Sequence, residues 1–276
     1  MNNQFVFAHD TNLGFPVDTP QWQSFFQRHQ IKVAGYECMD KMVADTQKDI
    51  PTIAFLPVGG AFYLNDSEYQ SIVSATVGTK CSTQMTSYLV VKKDSEVNSL
   101  EQLKNKTLSY INLSCTTSYF APALLLAEKG YTLNNFFKEL IPVDGFAALL
   151  ESVVSGKADS TMIWQRVWQE HPELAAQVNI IDELANLPTP IIIIKKEVDE
   201  SLKQGFLQEL LASPPMKGLF SGFVPYQKEQ TELFLDKLRK LELGRKLPSG
   251  AGAFSSRRTD VSERREELVR EGLTKR

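Results

Sequence analysis

Residues that carry chemistry are scarce in this chain, which has 3 histidines and 3 cysteines in 276 residues. His9, His29 and His171 form no metal-ligand spacing. Cys38, Cys81 and Cys115 are odd in number and widely separated, which excludes a disulfide framework and a zinc pattern. They are expected to be small buried hydrophobes. No G-x-S-x-G elbow and no P-loop occurs. Glu101, Glu128 and Glu151 read as solvated helix charges, so neither a catalytic constellation nor a cofactor is expected. A strong basic balance is missing too. Lys+Arg 30 against Asp+Glu 33 gives a net charge of -3, which argues against nucleic acid as a partner. The longest apolar block is Ile191 to Ile194 with its neighbours, too short for a transmembrane segment. The opening, MNNQFVFAHD, lacks a basic n-region, a long apolar stretch and a small-residue cleavage site. The location is therefore cytoplasmic if Met1 is the true start, and periplasmic or membrane-anchored if a leader was removed.

What is present is the material of a soluble α/β chain, 42% hydrophobic and 23% charged, long enough for two lobes with their own cores. Short apolar strands alternate with amphipathic helices. Strands are expected at Phe5 to Ala8, Ile31 to Tyr36 and Ile53 to Leu56, with helices at Gln21 to Gln30, opened by Thr19-Pro20, and at Met39 to Lys48. That is a βαβαβ unit. Further strands are expected at Ile72 to Thr76, Tyr88 to Lys92, Thr107 to Ile111, Leu140 to Val143, Ser160 to Ile163, Val178 to Ile181 and Ile191 to Lys195. Helices fall at Ser99 to Lys104, Phe120 to Lys129, Phe146 to Ser155, Asp199 to Ala212 and Gln227 to Leu241. From Leu247 the chain turns to Pro-Ser-Gly-Ala-Gly and then a charge-rich run, expected to lie outside the core.

The densest functional signal is Ser114-Cys115-Thr116-Thr117-Ser118-Tyr119, between an expected strand and an Ala/Leu-rich helix ended by Gly130. The first N–H groups of a helix have no intrahelical acceptor and carry its positive dipole end. A hydroxyl-lined helix start therefore suits a phosphate, phosphonate or carboxylate without any Lys or Arg. One hydroxyl acting as an ordinary N-cap would produce the same residues.

Several stretches in fixed order resemble a known family. They are Ile53-Ala54-Phe55-Leu56-Pro57 with Gly59, Gly60 and Tyr63, and Tyr88 to Ser95 followed by Ser99 to Lys106. Cys115 to Tyr119 with Pro122 comes next, then Val153-Val154-Ser155-Gly156-Lys157-Ala158-Asp159, and last Gly222-Phe223-Val224-Pro225. Over roughly nine-tenths of the chain this resembles the phosphate/phosphite/phosphonate-binding type of the type II periplasmic binding proteins, the solute receptors of ABC importers. The resemblance implies a two-lobe fold, each lobe a mainly parallel sheet flanked by helices, with the ligand cleft between them. Lobe one would comprise 1–88 and 191–246, lobe two 89–190, and 247–276 would form the charged tail. A monomer that binds a small anionic ligand and meets an ABC transporter permease is expected.

The ligand-binding set that follows takes Asp10 and Thr11 after the first strand, and Pro57, Gly59, Gly60 and Tyr63 after the third. Tyr88 lies at the crossover. Ser114, Thr116, Thr117, Ser118 and Tyr119 form the anion turn, and Phe146, Trp164 and Gln165 a wall. His9 would also open onto the cleft, although a His at a strand end is more often a surface residue. The chain departs from the family pattern at Cys115 for Ser, Ser118 for Gly, Phe146 for a ligand-facing His and Gln165 for a carboxylate. These changes argue against an aminoalkyl ligand and for an anion with an apolar or aromatic substituent. Trp168 is expected in the core. Two alternatives stay open: a cytosolic enzyme on the same fold, like menaquinone-pathway chorismate dehydratases or pyrimidine synthases, and a sensory solute-binding module.

Overall fold

The structure, a computed structural model, describes residues 5–48, 52–64, 67–213 and 218–241. The expected tail from 247 and the end of lobe one at 242–246 lie outside the described residues. The chain begins as the βαβαβ pattern requires, with β1 (Val6–Asp10), α1 (Pro20–Arg28), β2 (Lys32–Tyr36), α2 (Met39–Gln47) and β3 (Ile53–Leu56). It continues through α3 (Val58–Ala61), β4 (Tyr69–Thr76), β5 (Gln84–Lys92), β6 (Thr107–Tyr110), α4 (Ala121–Ala127), α5 (Leu133–Phe136) and β7 (Glu139–Pro142). Then come α6 (Phe146–Val154), β8 (Ser160–Trp164), α7 (Gln165–Glu170), α8 (Pro172–Ala175), β9 (Val178–Pro188), β10 (Ile191–Lys195), α9 (Glu200–Ala212), β11 (Gly222–Pro225) and α10 (Lys228–Arg239).

Two sheets result, in strand orders β11-β4-β10-β3-β1-β2 and β7-β6-β8-β5-β9. Each is parallel in its βαβ part, where β1 pairs with β2 and β3, and β6 with β7 and β8. The pairs made by β10, β11, β5 and β9 are antiparallel, because the strands that carry the chain between the sheets run against the βαβ strands. β9 runs on to Pro188, seven residues beyond the expected strand end at Ile181, because it pairs along β5 from Lys92 to Gln84. The expected helix at Ser99 to Lys104 is only a 3-10 turn, Glu101–Leu103. The short helices α5, α7 and α8 escape periodicity, which needs more than one or two turns to register.

The two cores differ in chemistry. In the first, Trp22, Phe25 and Phe26 share the buried face of α1 and meet Phe7, Phe15 and Phe206, with Phe7 and Phe15 ring centroids 4.7 Å apart. In the second, Leu108, Leu126, Leu149, Leu150, Val153 and Met162 are buried with a chain of hydroxyls. There Ser152 donates to Ser109 Oγ at 2.7 Å and Thr161 to the Ser109 carbonyl at 2.9 Å. Each buried hydroxyl thus keeps a partner. Only Cys115 is the buried hydrophobe expected of the cysteines. Cys38 is half-buried at the start of α2, and Cys81 is exposed in the turn before β5.

Candidate functional site

Pro57 to Ala61, after β3, and Leu113 to Phe120, after β6, meet where the carboxyl ends of the strands of both sheets converge. The hydroxyl stretch folds as a π-helical turn, Thr116–Phe120, that leads into α4. Cys115 is its N-cap, the thiol sulfur accepting from the Ser118 amide at 3.4 Å, so a Cys does here what a Ser would do. The Ser118 hydroxyl accepts from the Ile111 amide at 3.2 Å, and Ser87 Oγ donates to the Thr117 carbonyl at 3.0 Å.

The facing segment grips this turn. The Gly59 amide donates to Thr116 Oγ1 at 3.0 Å, and Tyr63 donates its hydroxyl to the Leu113 carbonyl at 3.3 Å. A Cβ on Gly59 would sit 2.5 Å from the Phe120 ring and 2.7 Å from the Ser114 carbonyl, so only glycine allows the approach. A Cβ on Gly60 would meet Leu56 and Val43 at 3.1 Å. Pro57 is buried and sets the extended N-cap of α3.

Asp40, in the first turn of α2, completes the grip. Its Oδ2 accepts from the Leu113 amide at 3.0 Å, and its Oδ1 from the Ser114 amide at 2.9 Å and the Ser114 hydroxyl at 2.6 Å. Burial pushes the Asp40 carboxyl up from its ordinary pKa while these three donors pull it back. Burial also raises the phenols of Tyr63, Tyr119 and Tyr110, the last to about 12. Asp40 was missed in the sequence because it reads as one more helix carboxylate. The signal that finds it is an acid in the first turn of a helix that follows a strand end. Ser87 and Tyr110 were missed for the same kind of reason, being ordinary strand residues until the sheet aims them.

With those bonds made, the amides of Thr116 and Thr117 have no acceptor among the described residues, although the two residues are only 2% and 4% exposed. Among the described residues Thr117 Oγ1 meets only the Cys115 sulfur, at 3.5 Å. Two adjacent buried donors without acceptors, at the meeting point of two sheets, suit an oxyanion.

A second contact joins the sheets. Trp164, at the end of β8, stacks on Phe220, which precedes β11, with centroids 5.5 Å apart and rings 23° from parallel. Phe146 packs edge-on to Trp164 at 6.4 Å. Arg166 donates to the Gly218 carbonyl. Gln165 is half-buried beside them as the first residue of α7.

The remaining expected residues lie farther out. Asp10 is 5% exposed, accepts from the Asn12 amide at 2.7 Å and is pushed up to about 6, mainly by burial and also by the charge of Asp144. Thr11 is exposed and donates to the Tyr36 carbonyl. His9 stacks on Phe7 at 6.0 Å, on the strand face opposite Asp10, and burial lowers its pKa. Tyr88 points away from Ser87, to the face where it meets Trp168 at 6.0 Å, so alternation along β5 aims Ser87 and not Tyr88 at the turn. Tyr119 is half-buried against Tyr110, 5.4 Å away. A 710 Å³ cavity lies between β9, α4 and α10, lined by Gln84, Leu124, Leu184, Tyr226, Leu233 and Phe234 among others. It includes neither the strand ends nor the unpaired amides.

Two α/β lobes, each built on its own sheet and meeting where the carboxyl ends of their strands converge, have the architecture of the type II periplasmic-binding fold. Solved structures agree on that fold. A Xanthomonas citri protein bound to ATP matches with a TM-score of 0.71 at 14% identity, over 86% of this chain and 97% of its own. The binding-protein component of a phosphonate ABC transporter from Pseudomonas aeruginosa matches at 0.65 and 17%, over 96% and 98%. PhnD1 of Prochlorococcus marinus, in complex with methylphosphonate, matches at 0.64 and 15%, over 86% and 97%. No curated protein matches the sequence. The family model described as the periplasmic substrate-binding protein of phosphonate ABC transporters matches residues 30–227, and the chain belongs to that family. The function that goes with it is capture of a small anionic solute for an ABC transporter. No helix among the described residues is long and apolar enough to cross a membrane.

Proposed function

We propose that the chain binds a phosphonate-like oxyanion on the Thr116 and Thr117 amides and the Thr117 hydroxyl, between the two lobes, and delivers it to a permease without transforming it. The observation that carries this reading is the pair of buried, unpaired amides at the start of the π-helical turn. A buried donor without an acceptor costs about 1–3 kcal/mol, which a bound oxyanion would relieve at both positions. In this reading Ser114, Thr116 and Ser118 position the turn, and Gly59, Gly60 and Tyr63 hold it. Phe146 and Trp164 wall the cleft on the side of Gln165. Tyr88 and Thr11 are left out of the set, and the division between lobes moves from 88/89 to the turn at 77–83, because β5 is continuous through residue 88.

The test is calorimetry and thermal shift with methylphosphonate, phosphite and phosphate. A ligand that binds only the folded chain raises its melting temperature by mass action. Methylphosphonate is expected to bind with a measurable heat and to raise the midpoint; no response to any of the three would overturn the reading.

A further inference from the structure

The anion turn already holds a negative charge. Both oxygens of Asp40 face donors, and two of the three donors are amides, which only donate, so the geometry favours an ionised carboxylate. No salt bridge to Asp40 forms among the described residues. The charges that raise the pKa values of Tyr63, Tyr110, Tyr119, Cys38 and Asp10 include Asp10, Asp40 and Asp144, all acidic. The proposed seat begins two residues beyond Ser114, so the Thr116 amide lies no more than roughly 10 Å from Asp40. Asp40 itself is 4% exposed, which weakens screening by water and salt.

We propose that Asp40 is the specificity-determining residue of this site, its fixed charge restricting the turn to oxyanions that carry a single negative charge. The inference rests on the seat proposed above and narrows its ligand class. A monoanion gains the two amides and the Thr117 hydroxyl against one repulsion. A dianion of the same shape meets twice that repulsion, which amounts to about a tenfold or greater loss of affinity.

Methanesulfonate and sulfate make the comparison, because they are close in size and keep charges of one and two at any working pH. Both are titrated against the wild type, Asp40→Asn and Ser114→Ala, with methylphosphonate as the check on the seat itself. The wild type is expected to prefer methanesulfonate by tenfold or more. Asp40→Asn should bring sulfate within threefold of methanesulfonate. Ser114→Ala loosens the same contact but keeps the charge, so it should retain the preference. An unchanged preference in Asp40→Asn, or an equal loss of both ligands there, overturns the proposal while methylphosphonate binding leaves the seat standing. If no anion binds any of the three proteins, the seat and the proposal fall together.

Discussion

Two of the contacts between the lobes, among the described residues, differ in character. Around Ser114 and Thr116 the contact centres on hydrogen bonds, with Asp40, Gly59 and Tyr63 each meeting a specific atom, and the Phe62 and Tyr63 rings pack on Phe120 beside them. Around Trp164 and Phe220 it is made of stacked rings. Ring contacts depend on area and tolerate small shifts, whereas each bond in the polar contact leaves a buried group stranded if its partner is removed. The difference suggests a division of labour in which the aromatic contact supplies most of the closing energy and the polar contact supplies geometry for the anion.

The largest test of that division is Trp164→Ala. Trp164 is 4% exposed, and its truncation should cost about 3–5 kcal/mol in denaturant unfolding. The affinity of the folded variant for methylphosphonate should fall by less than about tenfold. A larger loss of affinity than of stability would mean that the rings also shape the seat. Gly59→Ala attacks the polar contact. Its Cβ would lie 2.5 Å from the Phe120 ring, so separation of the two segments should cost about 3 kcal/mol and abolish detectable binding in calorimetry.

Asp10 belongs to neither contact and measures the charge at the rim. Its pKa is raised from 3.8 to about 6, so the folded state holds the proton more tightly than the unfolded one. Its effect on stability is then most favourable below about pH 4 and is lost as pH rises through about 6. Asp10→Asn keeps an acceptor for the Asn12 amide. It should be more stable than the wild type by about 3 kcal/mol at pH 7.5, and the two should converge near pH 4. Parallel stability curves would show that Asp10 is not destabilised by ionisation.

The smallest effects separate neighbouring threonines. Thr116→Val strands the Gly59 amide and should cost about 1–3 kcal/mol of stability. Among the described residues Thr117 Oγ1 meets only a sulfur at 3.5 Å, so Thr117→Val should leave unfolding nearly unchanged while methylphosphonate affinity falls about tenfold. If both variants behave alike, the hydroxyls do not have the separate roles their bonds assign.

The first βαβαβ unit was legible because α1 and α2 have helical periodicity and β1 to β3 are short apolar runs. The hydroxyl turn was legible from composition alone. Its pairing was not, since which hydroxyl caps, which holds Gly59 and which stays available depends on a segment more than fifty residues away. Asp40 was hidden for the same reason: its partners, Leu113 and Ser114, are over seventy residues distant. Tyr88 turns away from the hydroxyl turn toward Trp168, because the resemblance fixes a segment while the face a strand residue takes depends on pairing register.

The central claim is that the Thr116 and Thr117 amides seat the anion, and amide-resolved NMR during a methylphosphonate titration tests it most directly. The account predicts that these two amide protons move downfield farther than any others and become protected from exchange, with smaller shifts at Gly59 and Leu113. Shifts that centre instead on Leu184, Tyr226 and Leu233, around the 710 Å³ cavity, with Thr116 and Thr117 unmoved, would contradict it.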